Sequence, residues 1–315
     1  HFFAVNIDGT NEIDLTPYEN VQARLIDDLE DDPDHIILGL NKRDPRIHDA
    51  FRVNVTDGTM KLIAENPGNI SGWMTDHDGN LRVAITSDGV NTSLLYRDSE
   101  SESFKTILTT DFKVRVDPLF FTFDNKNLYV ASNRNRDKSA IYTFDITKTQ
   151  EKELIFENDQ VDVSGLMYSK KRKVLTGVSY TVAKREIFFF DDWRKDIQNK
   201  LERKFPGYEV GITSFSKDEK NAVVVTYSDK SRGTYYSYDV EKNEINELAK
   251  ISPWLNEDHM AEMKPITYTS RDGLTIPGYL TLPVGSDGKN LPFVVHPHGG
   301  PWARDSWGYN SEVQF

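Results

Sequence analysis

Apolar and polar residues alternate along the chain in short runs, and the runs recur. A strand-like stretch closes on an acidic or amide residue in Phe3-Ala4-Val5-Asn6, Phe51-Arg52-Val53-Asn54, Leu95-Tyr96-Arg97-Asp98, Tyr142-Thr143-Phe144-Asp145, Phe188-Phe189-Phe190-Asp191 and Tyr236-Ser237-Tyr238-Asp239. The closing residues stand at 6, 54, 98, 145, 191 and 239, a period of 44 to 48 residues. A second strand-like run precedes every copy after the first: Ile36-Ile37-Leu38-Gly39-Leu40, Leu81-Arg82-Val83-Ala84-Ile85, Leu128-Tyr129-Val130-Ala131, Lys173-Val174-Leu175-Thr176-Gly177 and Ala222-Val223-Val224-Val225-Thr226. Runs this short, bounded by turn residues, read as strands. Asp8-Gly9, Asp57-Gly58, Asp78-Gly79 and Asp88-Gly89 supply the positive-φ positions of tight hairpins. Each repeat therefore predicts an antiparallel meander.

A repeat of about 40 to 50 residues made of four short strands is the mark of a propeller blade, whose neighbours cover its apolar faces. The expected fold is mainly β, a β-propeller over residues 1–252 with five complete blades and the tail of another. The first copy lacks its upstream strands, so the parent ring is expected to hold about seven blades. The competing reading is a β-sandwich with coincidental spacing. Helical signal is confined to residues 191–201, enough for one or two turns, and to Pro253-Trp254-Leu255, which resembles a short exit helix.

Composition then excludes some partners. With 38 basic and 50 acidic side chains the formal net charge is −12, and no basic block stands out. A nucleic-acid or anionic-lipid surface is therefore not expected. No apolar run approaches the roughly 18 residues that span a bilayer, so no membrane span is expected either. The absence of cysteine removes disulfides, thiolate catalysis and Cys-ligated zinc, and suits cytoplasm and periplasm equally. His1-Phe2-Phe3-Ala4-Val5 lacks the basic leader of a signal peptide and reads as a strand in progress, which implies a missing N-terminus.

The repeat stops after Ser252. Residues 253–265 read as a linker, and residues 266–315 follow a different pattern. Two strands flank an Arg271-Asp272-Gly273 turn, and the apolar run of residues 291–295 predicts a buried strand. The chain leaves that run through His296-Pro297-His298-Gly299-Gly300-Pro301-Trp302-Ala303-Arg304-Asp305. Paired glycines after a buried strand have a rationale in acyl transfer. A tetrahedral intermediate needs backbone N–H donors aimed at its oxyanion, and glycine lets the main chain approach the reacting carbon closely.

Arg271-Asp272-Gly273 through Gly278-Tyr279-Leu280, His298-Gly299-Gly300-Pro301, Ala303-Arg304-Asp305 and Trp307-Gly308-Tyr309-Asn310 together resemble the start of the catalytic domain in the prolyl oligopeptidase family. The acylaminoacyl-peptidase-like branch carries the same His-Gly-Gly-Pro. The resemblance implies a serine oligo- or exopeptidase in which a propeller caps an α/β-hydrolase domain, here begun at residues 266–315, and admits only short or unstructured peptides. It implies no cofactor, and leaves homo-oligomers open. It makes Gly300, then Gly299, the candidate oxyanion donors, with His298, Pro301 and Trp302 organising the loop. The family's nucleophile sits downstream in a Gly-x-Ser-x-Gly elbow followed by Asp and His. No serine of the 315 residues has glycine at both −2 and +2, so the chain alone is expected to be inactive.

Other polar groups invite sharper readings than they sustain. Arg134 and Arg136, on one inter-strand loop, are candidates to grip a peptide carboxylate, against the plainer reading of solvated side chains. Asp191-Asp192 is a candidate for a substrate amine. His296 and His298 alternate at a strand end, but no third ligand stands nearby and no metal site is expected. Asp76-His77-Asp78-Gly79-Asn80 looks like a calcium loop but has Ser87 where the twelfth-position glutamate belongs, so a hairpin turn is the reading adopted. Two further functions stay open: a TolB-like scaffold that binds a protein partner, and an esterase or other acyl hydrolase on the same scaffold.

Overall fold

The repeats emerge as separate antiparallel sheets whose strands are hydrogen-bonded in chain order. The structure is a computed structural model that describes residues 1–300 and 303–315. It divides into two units, His1–Ser164 and Gly165–Phe315.

The first unit opens with a two-stranded piece, β1 (Phe3–Ala4) and β2 (Ile13–Asp14). A four-stranded sheet follows, β3 (Ala23–Asp27), β4 (His35–Asp44), β5 (Ile47–Asn54) and β6 (Met60–Ala64). The next holds β7 (Ile70–Thr75), β8 (Leu81–Ser87), β9 (Asn91–Tyr96) and β10 (Lys105–Asp111). A third holds β11 (Val116–Phe121), β12 (Leu128–Ser132), β13 (Ala140–Asp145) and β14 (Gln150–Phe156). The second unit contains a three-stranded sheet, β15 (Gly165–Ser169), β16 (Val174–Thr181) and β17 (Arg185–Phe189), then helix α1 (Asp192–Lys204). A four-stranded sheet, β18 (Glu209–Phe215), β19 (Asn221–Tyr227), β20 (Thr234–Asp239) and β21 (Glu244–Lys250), comes next. The hairpin β22 (Met263–Thr269) and β23 (Thr275–Thr281) and a single helical turn, α2 (Ser311–Gln314), complete it. These are the expected blades, four with four strands and one with three.

Burial explains the order within a sheet. In β4 the run from Ile37 to Leu40 includes three apolar residues that are fully buried, whereas the outermost strand β21 is almost wholly exposed. Apolar clusters form between neighbouring sheets: Leu81 of β8 packs with Ile37, Ala50 and Ile63, and Val83 and Leu94 pack with Phe121, Leu128 and Phe144. The sequence period reappears in the polar contacts. Arg52 pairs with Glu100, Thr75 bonds Asp27, the His77 N–H donates to Asn125, and Arg172 pairs with Glu219, all at offsets of 47 or 48 residues. Equivalent positions of successive blades thus contact one another. The Asp-Gly turns adopt positive φ as expected, at Gly9, Gly58, Gly79 and Gly89.

Three local expectations need correction. Residues 192–201 belong to a 13-residue helix capped by Asp191, longer than one or two turns. Trp193, Ile197 and Leu201 recur every fourth residue and pack against Val210, Ala222, Val224 and Tyr238, which carries the helix to Phe205, the residue before Pro206. Pro253-Trp254-Leu255 form a turn, and the short 3₁₀ helix lies at Glu257–His259, where the Asn256 side chain accepts the Asp258 N–H. The run of residues 291–295 is neither buried nor a strand. Phe293, Val294 and Val295 are 79%, 82% and 72% exposed, with no ladder partner among the described residues.

Candidate active-site loop

The β22–β23 hairpin turns at Arg271-Asp272-Gly273, with Gly273 at φ 88° and the Asp272 carboxylate accepting the Ser270 hydroxyl and the Leu274 N–H. From β23 the Tyr279 hydroxyl donates to the Ala183 carbonyl at 2.6 Å, in the turn between β16 and β17. The same turn receives Arg304, whose guanidinium nitrogens donate to the Thr181 and Val182 carbonyls, each at 2.6 Å. Lys184 lays its ammonium 3.4 Å from the centre of the Trp307 ring. The Trp307 indole N–H in turn donates to the Met263 carbonyl at 2.8 Å. Around the turn between β19 and β20, the buried Asp229 carboxylate accepts the Met263 N–H at 2.7 Å. Gln314 bridges the Asp229 and Ala261 carbonyls through its amide nitrogen, at 2.9 and 2.8 Å.

Within the glycine loop, His298 Nδ1 donates to the Gly299 carbonyl at 2.6 Å. In a trans peptide the N–H points opposite to the preceding carbonyl. Holding the Gly299 oxygen therefore turns the Gly300 N–H away from the imidazole. Gly299 has no atom within 4 Å of where a Cβ would sit, and residues 296–300 are exposed. Pro301 and Trp302, the other two loop-organising candidates, lie outside the described residues.

The remaining candidates have partners already. His296 Nε2 lies 3.0 Å from a Glu312 carboxylate oxygen. Arg134 sits 3.8 Å from Glu151, and Arg136 bonds Glu157 at 2.7 Å, the Tyr142 hydroxyl at 2.9 Å and the Lys138 carbonyl at 2.6 Å. Both guanidiniums thus serve their own sheet, in the first unit. Asp191 caps α1 through the Trp193 N–H and pairs with Arg172 at 2.5 Å. Asp76 spends its carboxylate on the backbone N–H groups of Asp78 and Asn80 and on Arg82, the pattern of a structural turn. No group of three or more potential metal ligands occurs among the described residues. The anchors Tyr279, Lys184, Asp229 and Gln314 were not legible as such, since Tyr279, Asp229 and Gln314 grip main-chain carbonyl and N–H groups.

Comparison with known proteins places this geometry. The chain is 29% identical over 331 aligned residues to dipeptidyl aminopeptidase BIII of Pseudoxanthomonas mexicana, covering 100% of this chain and 47% of that protein. It is 22% identical to dipeptidyl peptidase family member 6 of Caenorhabditis elegans, covering 87% of this chain and 41% of the relative. A prolyl endopeptidase structure superposes over 90% of this chain and 43% of its own, with a TM-score of 0.59 and 14% identity. The chain shares the fold of the prolyl oligopeptidase structures it superposes on. No family model matches it. It spans about half the length of the curated relatives it matches.

Proposed function

We propose that this chain supplies the blades and the oxyanion loop of a serine peptidase acting on short peptides, with Ser, Asp and His contributed by sequence outside these 315 residues. The observation that carries the reading is the bond from His298 Nδ1 to the Gly299 carbonyl, which turns the Gly300 N–H away from the imidazole, beside a Gly299 with open space around it. One preorganised donor of this kind is worth about 10² to 10³ in rate in acyl transfer. His298 is then a loop-organising residue, and Gly300 the donor. Both curated relatives are dipeptidyl peptidases by name, so release of dipeptides from a free amino terminus is the first form of the activity to test.

The test labels the full-length gene product and the 315-residue chain with a fluorophosphonate probe, read by intact mass. Dipeptide arylamides with free and acetylated amino termini are assayed in parallel. The expected result is one adduct on the longer species, none on the 315-residue chain, and turnover of the free-amine substrate. A longer species that takes no adduct and turns over neither substrate would refute the proposal.

A further inference from the structure

The side chains that hold the terminal segment converge on the turn between β16 and β17. There the Val182 N–H donates to the Lys184 carbonyl at 3.1 Å, closing the turn tightly. Three successive carbonyls, Thr181, Val182 and Ala183, then accept donors from the terminal segment: Arg304 takes the first two and Tyr279 the third. A guanidinium is a planar fork, so gripping two carbonyls at once fixes its orientation as well as its position. Lys184, on the same turn, covers Trp307 three residues further on.

Arg304 stands four residues after Gly300, and His296, paired with Glu312, stands four before it. Between these two anchors the glycines have no side chains to pack, and Gly299 has open space around it. The bond from His298 sets the Gly299–Gly300 peptide relative to its own neighbour, but it does not tie the loop to the sheets. Among the described residues, Arg304 ties its far end to the β16–β17 turn and His296 ties its near end to Glu312.

We infer that Arg304 is a positioning residue for peptide hydrolysis: by clamping the Thr181 and Val182 carbonyls it holds the Gly299–Gly300 peptide where the oxyanion forms. The inference rests on the peptidase reading above. Its effect falls on the transition state, because a displaced donor weakens oxyanion stabilisation while ground-state binding of the peptide is little changed.

The experiment compares Arg304→Ala and Arg304→Lys with wild type in the full-length gene product, using a free-amine dipeptide arylamide and recording kcat, KM and the melting midpoint. A displacement of about 1 Å costs about 10²-fold, so R304A is expected to lose roughly 10- to 100-fold in kcat. KM should stay within about twofold, as expected when only a transition-state interaction is lost. R304K should recover only part of the loss, since an ammonium is a point donor without the fork. Added guanidinium chloride at low, non-denaturing concentration should raise kcat of R304A and leave wild type unchanged. Should R304A fail to fold, R304K carries the same comparison. Variants whose kcat matches wild type, or whose kcat falls only in step with a lost melting midpoint and without guanidinium rescue, would overturn the assignment. A wild-type enzyme that neither turns over substrate nor takes the fluorophosphonate probe removes the peptidase reading and this assignment with it. An active wild type beside an equally active R304A removes the assignment alone.

Discussion

Arg97 offers the most direct measure of how the blades are joined. Its side chain is only 5% exposed. Burial pulls its pKa below the ordinary arginine value, with the Glu100 charge acting the other way. The guanidinium donates to the Leu81 carbonyl at 2.8 Å and the Ile63 carbonyl at 3.3 Å, and more weakly to the Glu100 and Glu102 carbonyls at 3.3 and 3.4 Å. It also lies 4.4 Å from the centre of the Phe104 ring. Leu81 belongs to β8 and Ile63 to β6, so one side chain ties two adjacent sheets. Arg97→Met keeps most of the stem volume and removes every donor. Each buried carbonyl left without its partner costs about 1–3 kcal/mol, and two of the four are buried. Loss of the ring contact adds about 1 kcal/mol. Against this, the variant no longer buries a charge, a relief of a few kcal/mol that offsets part of the loss. A net destabilisation of about 2–4 kcal/mol follows, or roughly 5–12 °C in melting midpoint for a domain of this size. Arg97→Lys is expected to be no better than Met, because an ammonium cannot reach four carbonyls and is still desolvated. Urea unfolding followed by circular dichroism, with thermal melts alongside, measures both. An R97M variant within about 0.5 kcal/mol of wild type, the range of an ordinary surface change, would refute the reasoning.

Two further outcomes follow from local geometry. A Cβ at Gly177 would meet the Phe188 carbonyl oxygen at 2.6 Å and the Met167 methyl at 2.9 Å, so Gly177→Ala is expected to force β16 and β17 apart and cost about 1–3 kcal/mol, seen as faster amide exchange across that pair; unchanged exchange would count against it. The hydrogen bond from Tyr208 to Glu257, with burial second, pushes the phenol up to about 12; a folded pKa above the unfolded value of about 10 stabilises the fold fully below pH 10 and loses that contribution as pH climbs to 12, so the stability advantage of wild type over Tyr208→Phe, small at this exposed site, should shrink over that window and not below it.

The blades were legible because a four-strand meander imposes its period on the chain directly. Third strands such as β5, β13 and β20 close on Asn54, Asp145 and Asp239, and second strands such as β4 and β8 carry a buried apolar run. What the period did not disclose is where one blade stops short. The sheet of β15 to β17 has three strands, and α1 follows where a fourth would come. The cue was present in the four-residue spacing of Trp193, Ile197 and Leu201, but Asp191-Asp192 before it reads equally well as the polar end of a strand. In the structure β17 ends at Phe189 and Asp191 caps the helix.

The terminal segment was legible in its chemistry and not in its placement, and the cause is physical. A strand buried on both faces reads as a continuous apolar run, and residues 291–295 have that character; yet burial needs neighbours, and Phe293, Val294 and Val295 find none among the described residues. Full burial of a side chain of this kind is worth about 1.5–3 kcal/mol, so the run forgoes several kcal/mol of packing that would otherwise hold the loop after it. The loop is therefore held by what flanks it: His296 on Glu312 and Arg304 on two carbonyls. Carbonyls are present at every residue and leave no mark in a sequence, which is why the turn of residues 181–184 looks like any other polar hairpin until the donors that seek it are seen. The donors are the only half of such contacts that a sequence can show, so in the repeats and in the loop alike the informative residues are arginines that donate to main-chain carbonyls, Arg97 in the blades and Arg304 beside the glycines.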